Sequence, residues 1–182
     1  EESDTAFCFA TLFDVEKYWV LNEHRIKDGP ALIPGSGFIE LAREAFAQVQ
    51  GAEKPFEMAD VVFELPFFVP DNAAKQLLVR LQQDRFTITS DSFGDESVHA
   101  RGIVRTAKPL ERRCDVARIA ARCQRGVQRF DDPDHHPFLD FGVRWRVLQH
   151  VAYGEREALI RLEMPEQFAD ELNSFGLHPA LL

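Results

Sequence analysis

Hydrophobic and polar positions change period several times along the chain, and each change marks an element. Phe38, Leu41, Ala42, Ala45, Phe46 and Val49 recur at helical spacing, which predicts an amphipathic helix with one buried face. Gly35-Ser36-Gly37 punctuates its start, with Ser36 the expected N-cap. Glu40 and Glu44 lie early in the helix, toward the end where negative charge is favoured. Residues 1–13 alternate loosely from Ala6 and read as an edge strand, and Asp14 to Glu23 is a polar-aromatic connection. After the helix, Gly51 to Pro55 breaks the pattern. Met58 to Val69 then reads as a strand in which Pro66 implies a bulge or an edge position. Gln76–Leu81, Arg85–Ser90 and Val98–Arg105 follow as three more strands, with a turn at Ser92 to Glu96. The clearest alternation puts Phe86 and Ile88 on one face and Arg85, Thr87 and Thr89 on the other. One long helix followed by a run of antiparallel strands predicts an α+β fold, a sheet wrapped round a helix.

Residues 107–137 change character. Charges cluster at Glu111, Arg112, Arg113, Asp115, Arg118, Arg122 and Arg125, while Val116, Ile119, Ala120 and Cys123 predict a short amphipathic helix. The region reads as a linker lying over the first sheet. Beyond it, Trp145–Tyr153 and Arg156–Glu163 form a hairpin through Gly154-Glu155, and Pro165–Asn173 a short helix.

Composition narrows the function. A chain of 182 residues, 45% hydrophobic, has room for one domain with a sizeable core. A net charge of −9 without a basic run argues against nucleic acid as partner. No apolar run approaches membrane-spanning length, and the opening residues lack a signal-peptide layout. Cys8, Cys114 and Cys123 are widely spaced without a metal-ligand pattern, so reduced thiols and a cytoplasmic location are expected. Sixteen phenylalanines against two tyrosines suit a phenylalanine-rich core, or more sharply an apolar tunnel for an acyl chain; composition alone favours the core.

The chemistry gathers at His24, which precedes a Gly/Pro-rich loop and the helix. Backbone N–H groups at a helix start beside a histidine suit the polarisation of a carbonyl oxygen. His24, Gly29, Pro34 and Gly35, then Phe38-Ile39-Glu40-Leu41-Ala42, resemble the first motif of the dehydratase domains of modular type I polyketide synthases. Four residues separate His24 from Gly29 where that motif has three. Tyr18 to Glu23 resembles the family's aromatic-led lead-in. Gly176 to Leu182, with its L-H-P-A-L-L run, resembles a second segment, which in the family is followed at once by a catalytic aspartate. A third stretch, Asp140 to Trp145, keeps Gly142 and an aromatic but has Phe141 and Val143 where the family has tyrosine and proline.

The resemblance implies a hotdog fold, an antiparallel sheet wrapped round a central helix, here a double hotdog with its second half incomplete. The expected parts are an N-terminal half over 1–106, a linker over 107–137 and the start of a C-terminal half over 138–182. The implied reaction removes water from a 3-hydroxyacyl thioester on an acyl carrier protein, with His24 as base and an aspartate expected just after Leu182 as acid. Gly29, Pro34, Gly35, Phe38, Phe141, Gly142, Val143 and His178 are the expected substrate-side residues. Gly35 would supply the carbonyl donor, and His178 would hold the turn that positions the acid. Without the motif, His24 would read as a buried histidine satisfied by a backbone carbonyl. His99 reads as packing. No metal or redox cofactor is implied, since the phosphopantetheine arm belongs to the substrate.

The expected partners are the carrier protein and neighbouring synthase domains, with a homodimer as a further expectation and neither nucleic acid nor membrane. Two alternatives stand beside this reading. One is a dehydratase-cyclase that closes an oxygen heterocycle, a pyran, by oxa-Michael addition. The other is a non-catalytic hotdog that binds acyl chains or scaffolds a synthase. Asp131, Asp132, Asp134, His135 and His136 have metal-binding chemistry, yet their crowding in a Pro-flanked loop reads as a solvated turn. The arginines between 112 and 129 suit an acidic carrier protein or a phosphate, and more often such charges face water.

Overall fold

The computed structural model describes residues 6–92, 94–108, 113–130 and 136–182. Strand β1 (Ala6–Phe13) leads through a short helix, α1 (Trp19–Asn22), into two small strands, β2 (His24–Ile26) and β3 (Ala31–Leu32), and then into α2 (Gly35–Gln50). β4 (Phe56–Phe63), β5 (Phe68–Val69), β6 (Lys75–Gln82), β7 (Arg85–Ser92) and β8 (Asp95–Thr106) follow. Helix α3 (Val116–Arg122), β9 (Gly126–Arg129), β10 (Leu139–Phe141), β11 (Leu148–Tyr153) and β12 (Ala158–Leu162) come next. Three 3-10 segments, Val143–Trp145, Glu166–Asn173 and Pro179–Leu181, complete the elements.

Five strands form an antiparallel sheet in the order β1-β6-β7-β8-β4, and α2 packs against β6, β7 and β8. The apolar stripe of α2 supplies Phe38, Ala42, Ala45 and Phe46 to a core shared with Leu77 and Val79 of β6, Phe86 and Ile88 of β7, and Val104 of β8. The alanines let the helix backbone approach the sheet, so the aromatic side chains interlock around them. This is the α+β hotdog arrangement, and the long helix is where the 3.6-residue period puts it. A small sheet in the order β10-β2-β3-β5 and a three-stranded sheet in the order β12-β11-β9 carry the rest.

Several local expectations change. Helix α2 begins at Gly35 with Pro34 as its N-cap and without a side-chain cap, so Ser36 is inside the first turn and not the cap. Pro34 has an extended backbone, and its carbonyl already accepts from Gly37 N–H at 2.9 Å. The stretch 58–69 is two strands, not one, broken between Phe63 and Phe68. The extra residue of β4 falls near Asp60, at φ 51°, and not at Pro66. Opposite the Ile88–Thr89 step, β8 carries one extra residue, His99. Beyond that bulge the simple alternation fails, and Thr89 and Ser90 are both buried.

Residues 107–137 are not simply a linker over the first sheet. Within them β9 pairs with β11, from Gly126↔Tyr153 to Arg129↔His150. Arg122 holds Glu157 beside β12 through two bonds of 2.6 Å, and Cys123 is buried. Four residues flanked by charges are too few for alternation to identify a strand. The opposite blurring occurs at β10, which lies past the expected boundary at 138 yet pairs with β2 of the first part. Glu111, Arg112 and the 131–135 part of the acidic, histidine-bearing loop, with Asp131, Asp132, Asp134 and His135, lie outside the described residues. Among the described residues, no helix is long and apolar enough to cross a membrane.

Candidate active site

His24 opens β2 and is paired on the other side with Phe141 of β10. Its side chain is 8% exposed and packed against the rings of Phe141 and Trp145, with centroids 5.4 and 5.3 Å away. The imidazole Nδ1 lies 2.9 Å from the Leu32 carbonyl oxygen. A carbonyl can only accept, so Nδ1 carries the proton and Nε2 keeps its lone pair. Nε2 has no hydrogen-bond partner among the described residues. Burial pushes the His24 pKa below the ordinary histidine value; the Leu32 bond opposes this, and the neighbouring His136 adds to the lowering. The ring is therefore a neutral base of assigned tautomer near pH 7.

The short β2–β3 hairpin joins His24 to the loop that precedes α2. Gly29 N–H donates to the Ile26 carbonyl at 2.9 Å, and Asp28 takes a left-handed φ of 57° in the hairpin turn. At the other end the register Arg25↔Ala31 and the His24–Leu32 bond hold the histidine near the turn into α2. There Gly37 and Phe38 N–H groups donate to Pro34, which leaves the N–H groups of Gly35 and Ser36 without an acceptor among the described residues. A helix N-terminus with two unpaired donors can stabilise negative charge developing on a carbonyl oxygen.

The other expected residues divide. Phe141 and Gly142 join His24 through the β2–β10 pairing, and Gly142 N–H donates to the Glu23 carbonyl at 2.9 Å. Any side chain at position 142 would run into the Glu23 side chain. Val143 opens the following 3-10 turn and is 41% exposed. Phe38 is only 4% exposed, inside the core, with its ring stacked parallel to His99 at 6.2 Å. His178 is buried; its Nδ1 accepts from Ala180 N–H at 3.3 Å, and its ring stacks on Trp19 at 5.3 Å. It thus caps the 3-10 segment Pro179–Leu181. His136 accepts at Nδ1 from the Leu139 N–H at 3.0 Å. His99 is satisfied on both sides, by Leu65 O at 3.1 Å and Ser90 Oγ at 2.7 Å, as a packed core histidine is.

The partners of five charged residues around the site, Glu23, Glu40, Arg43, Arg144 and Glu171, escape a sequence reading. Glu40 takes the Gly176 and Leu177 N–H groups at 3.0 and 2.9 Å and Arg43 at 2.7 and 2.9 Å. It therefore ties the tail to α2 instead of serving the helix dipole. Gly176 has no room for a side chain against Arg43. Glu23 and Arg144 form a second tie, taken up below. Glu40 and Arg43 are spaced as an ordinary surface pair on a helix, and nothing in that spacing reveals a partner 136 residues away. Beside α1 and the tail lies an apolar cavity of about 390 Å³, lined by Phe13, Tyr18, Trp19, Ile33, Leu41 and Phe175; His24 does not line it.

Two family models match the chain: polyketide synthase dehydratase domain over residues 1–93 and polyketide synthase dehydratase N-terminal domain over residues 111–182. The chain belongs to the polyketide synthase dehydratase family. It is 24% identical over 189 residues to polyketide synthase PksN of Bacillus subtilis, a match covering 96% of this chain and 3% of that one. It is 27% identical over 196 residues to polyketide synthase ThaG of Burkholderia thailandensis, covering 94% and 3%. The chain thus spans a small fraction of the curated relatives it matches.

In fold it is similar to a trans-AT polyketide synthase dehydratase domain from Brevibacillus brevis, with a TM-score of 0.84, 21% identity, and 98% of this chain on 67% of that one. The dehydratase domain from the CurF module of Curacin polyketide synthase gives 0.83, 22%, 98% and 68%. The dehydratase fold is therefore one hotdog and part of a second within this chain.

Proposed function

We propose that this domain removes water from a 3-hydroxyacyl thioester carried on an acyl carrier protein. His24 Nε2 takes the proton from the carbon next to the thioester carbonyl, and the Gly35 N–H donates to that carbonyl as it gains enolate character. The 3-hydroxyl leaves as water with a proton from a carboxylic acid, the aspartate expected to follow Leu182. An α,β-unsaturated thioester remains, and the step is redox-neutral, so no electron acceptor enters it. Gly29, Pro34, Phe141, Gly142, Val143 and His178 are assigned to shaping the substrate side of the site. Phe38 is assigned to supporting it from the core.

The observation that carries this reading is the neutral His24 with its Nδ1–H held by Leu32 and its Nε2 free, close in sequence to the open start of α2. Two inactive mutants of the Curacin CurK dehydratase, one a histidine-to-phenylalanine and one an aspartate-to-asparagine change, support a histidine and an aspartate as the working pair. The carrier protein, neighbouring synthase domains and a homodimeric state belong to the same proposal.

Mass spectrometry of a 3-hydroxyacyl thioester incubated with the complete protein and with His24→Ala tests it. Loss of one water with the intact protein, slowed by roughly 10²–10⁴-fold in the variant, is the expected result. A product of equal mass to the alkene but different retention, from a chain with a distal hydroxyl, would turn the reading toward cyclisation. Absence of water loss from every chain offered to a folded protein would leave the scaffold reading.

A further inference from the structure

The geometry points to Arg144 as a positioning residue that sets the His24 strand against the His178 turn. The inference rests on the dehydratase reading and goes beyond it, because Arg144 touches neither His24 nor His178 through a hydrogen bond. It lies in the 3-10 turn directly after β10, three residues past the partner of His24. Its backbone N–H donates to Glu23 Oε2 at 2.7 Å, and its Nη1 donates to Glu23 Oε1. From its other edge Nε donates to both Glu171 oxygens at 3.0 Å, and Nη2 donates to Glu171 Oε1 at 2.8 Å. The flat guanidinium is packed against the Phe168 ring at 4.1 Å and the Trp19 ring at 5.1 Å. All three charged side chains are at least three-quarters buried, which lifts the pairing above an exposed surface bridge.

Each end of this bridge adjoins a residue of the site. Glu23 precedes His24 in the chain, and its carbonyl also receives the Gly142 N–H. Glu171 lies 3.8 Å from His178 Nε2, and His178 stacks on the same Trp19 that packs against Arg144. Elements distant in sequence, 23–24, 142–145 and 168–178, thus share one cation. Only a guanidinium offers donors on two edges at once while presenting flat faces to aromatic rings; a lysine ammonium cannot span both carboxylates in that plane. If Arg144 releases either carboxylate, the base and the turn that precedes the expected acid lose their common reference. Displacement of about 1 Å between reacting groups lowers a rate by on the order of 100-fold.

The test uses the complete protein, wild type and variants, with turnover of a 3-hydroxyacyl thioester and thermal melting measured on the same samples. Arg144→Met is expected to lower kcat by about 100-fold with KM changed less than about threefold, since the loss falls on geometry and not on substrate contacts. Arg144→Lys should recover part of that loss. Glu171→Gln should lower kcat in the same way, and the Arg144→Met/Glu171→Gln double variant should be no worse than the poorer single, because both cut one link. Variants that melt near the wild type yet turn over at wild-type kcat would overturn the inference, as would a change in KM alone or losses that multiply independently. If Arg144→Met does not fold, Arg144→Lys and Glu171→Gln decide by the same criteria. A wild type that removes no water sinks the dehydratase reading instead, which keeps the two failures apart.

Discussion

His24 draws its properties from four neighbours, one on β3 and three from the stretch 136–145. Leu32 O selects the tautomer, Phe141 and Trp145 strip water from the ring, and His136 adds unfavourable charge for a second proton. Because burial lowers its pKa, the ring is ready as a base at pH values where an exposed histidine is already half protonated. The acid limb of kcat/KM against pH is therefore expected to have its midpoint below 6.5, the ordinary histidine value. A midpoint at or above that value would remove His24 as the titrating base. Gly142 is a different kind of residue-scale constraint, imposed by space. Gly142→Ala drives a methyl group into the Glu23 side chain, with a cost of about 1–3 kcal/mol from overpacking. Chemical denaturation should show that loss, and an unchanged midpoint would mean that Glu23 moves aside freely.

At the scale of elements, α2 does two jobs with two faces. Its apolar stripe organises the core, while Glu40, itself held by Arg43, receives the tail through the amides of Gly176 and Leu177. Glu40→Ala leaves Arg43 and both amides without that carboxylate, at roughly 3 kcal/mol by analogy with breaking a buried ion pair. Hydrogen exchange gives the sharper readout: the Gly176 and Leu177 amides should lose protection while the α2 amides keep theirs. Equal protection in wild type and variant would mean that the tail is held by the aromatic packing of Phe175 and His178 on Trp19 alone. The small sheet works similarly. Pairing β10 with β2 brings Phe141 to His24 across more than a hundred residues of chain, so the site is built by strand register and not by sequence proximity.

Among the described residues three histidines, His24, His99 and His178, are buried, and burial is the largest influence lowering the pKa of each. In the unfolded chain they titrate near the ordinary value of 6.5. Between that value and their lower folded values, the unfolded state binds protons that the folded state refuses. The resulting stability is complete above about pH 6.5 and is lost as pH falls through the folded values. The thermal midpoint is accordingly expected to drop between pH 7.5 and about 5.5, above the range in which most carboxylates titrate. A flat midpoint across that interval would contradict the burial of these rings.

The sequence by itself determined the central helix, the strands of the large sheet and the motif around His24. Each of these is written locally: a 3.6-residue stripe, runs of β-branched and aromatic residues, and a histidine set before glycine and proline at a helix start. Position 24 thus stood out before any contact was known, as did the turn at His178. Tertiary structure alone decided the rest. Ser36 lost the cap to Pro34 because the helix starts two residues earlier, and the bulge at His99 buried Thr89 against the local alternation. The strand at 126–129 exists only through its pairing with β11. Glu23, Arg144 and Glu171 are ordinary surface-type residues in the sequence, and they become one buried cluster only when 23, 144 and 171 meet. Charge pairing across such separations leaves no periodic trace, because its geometry is set by the packing of elements and not by the spacing of residues along any one of them.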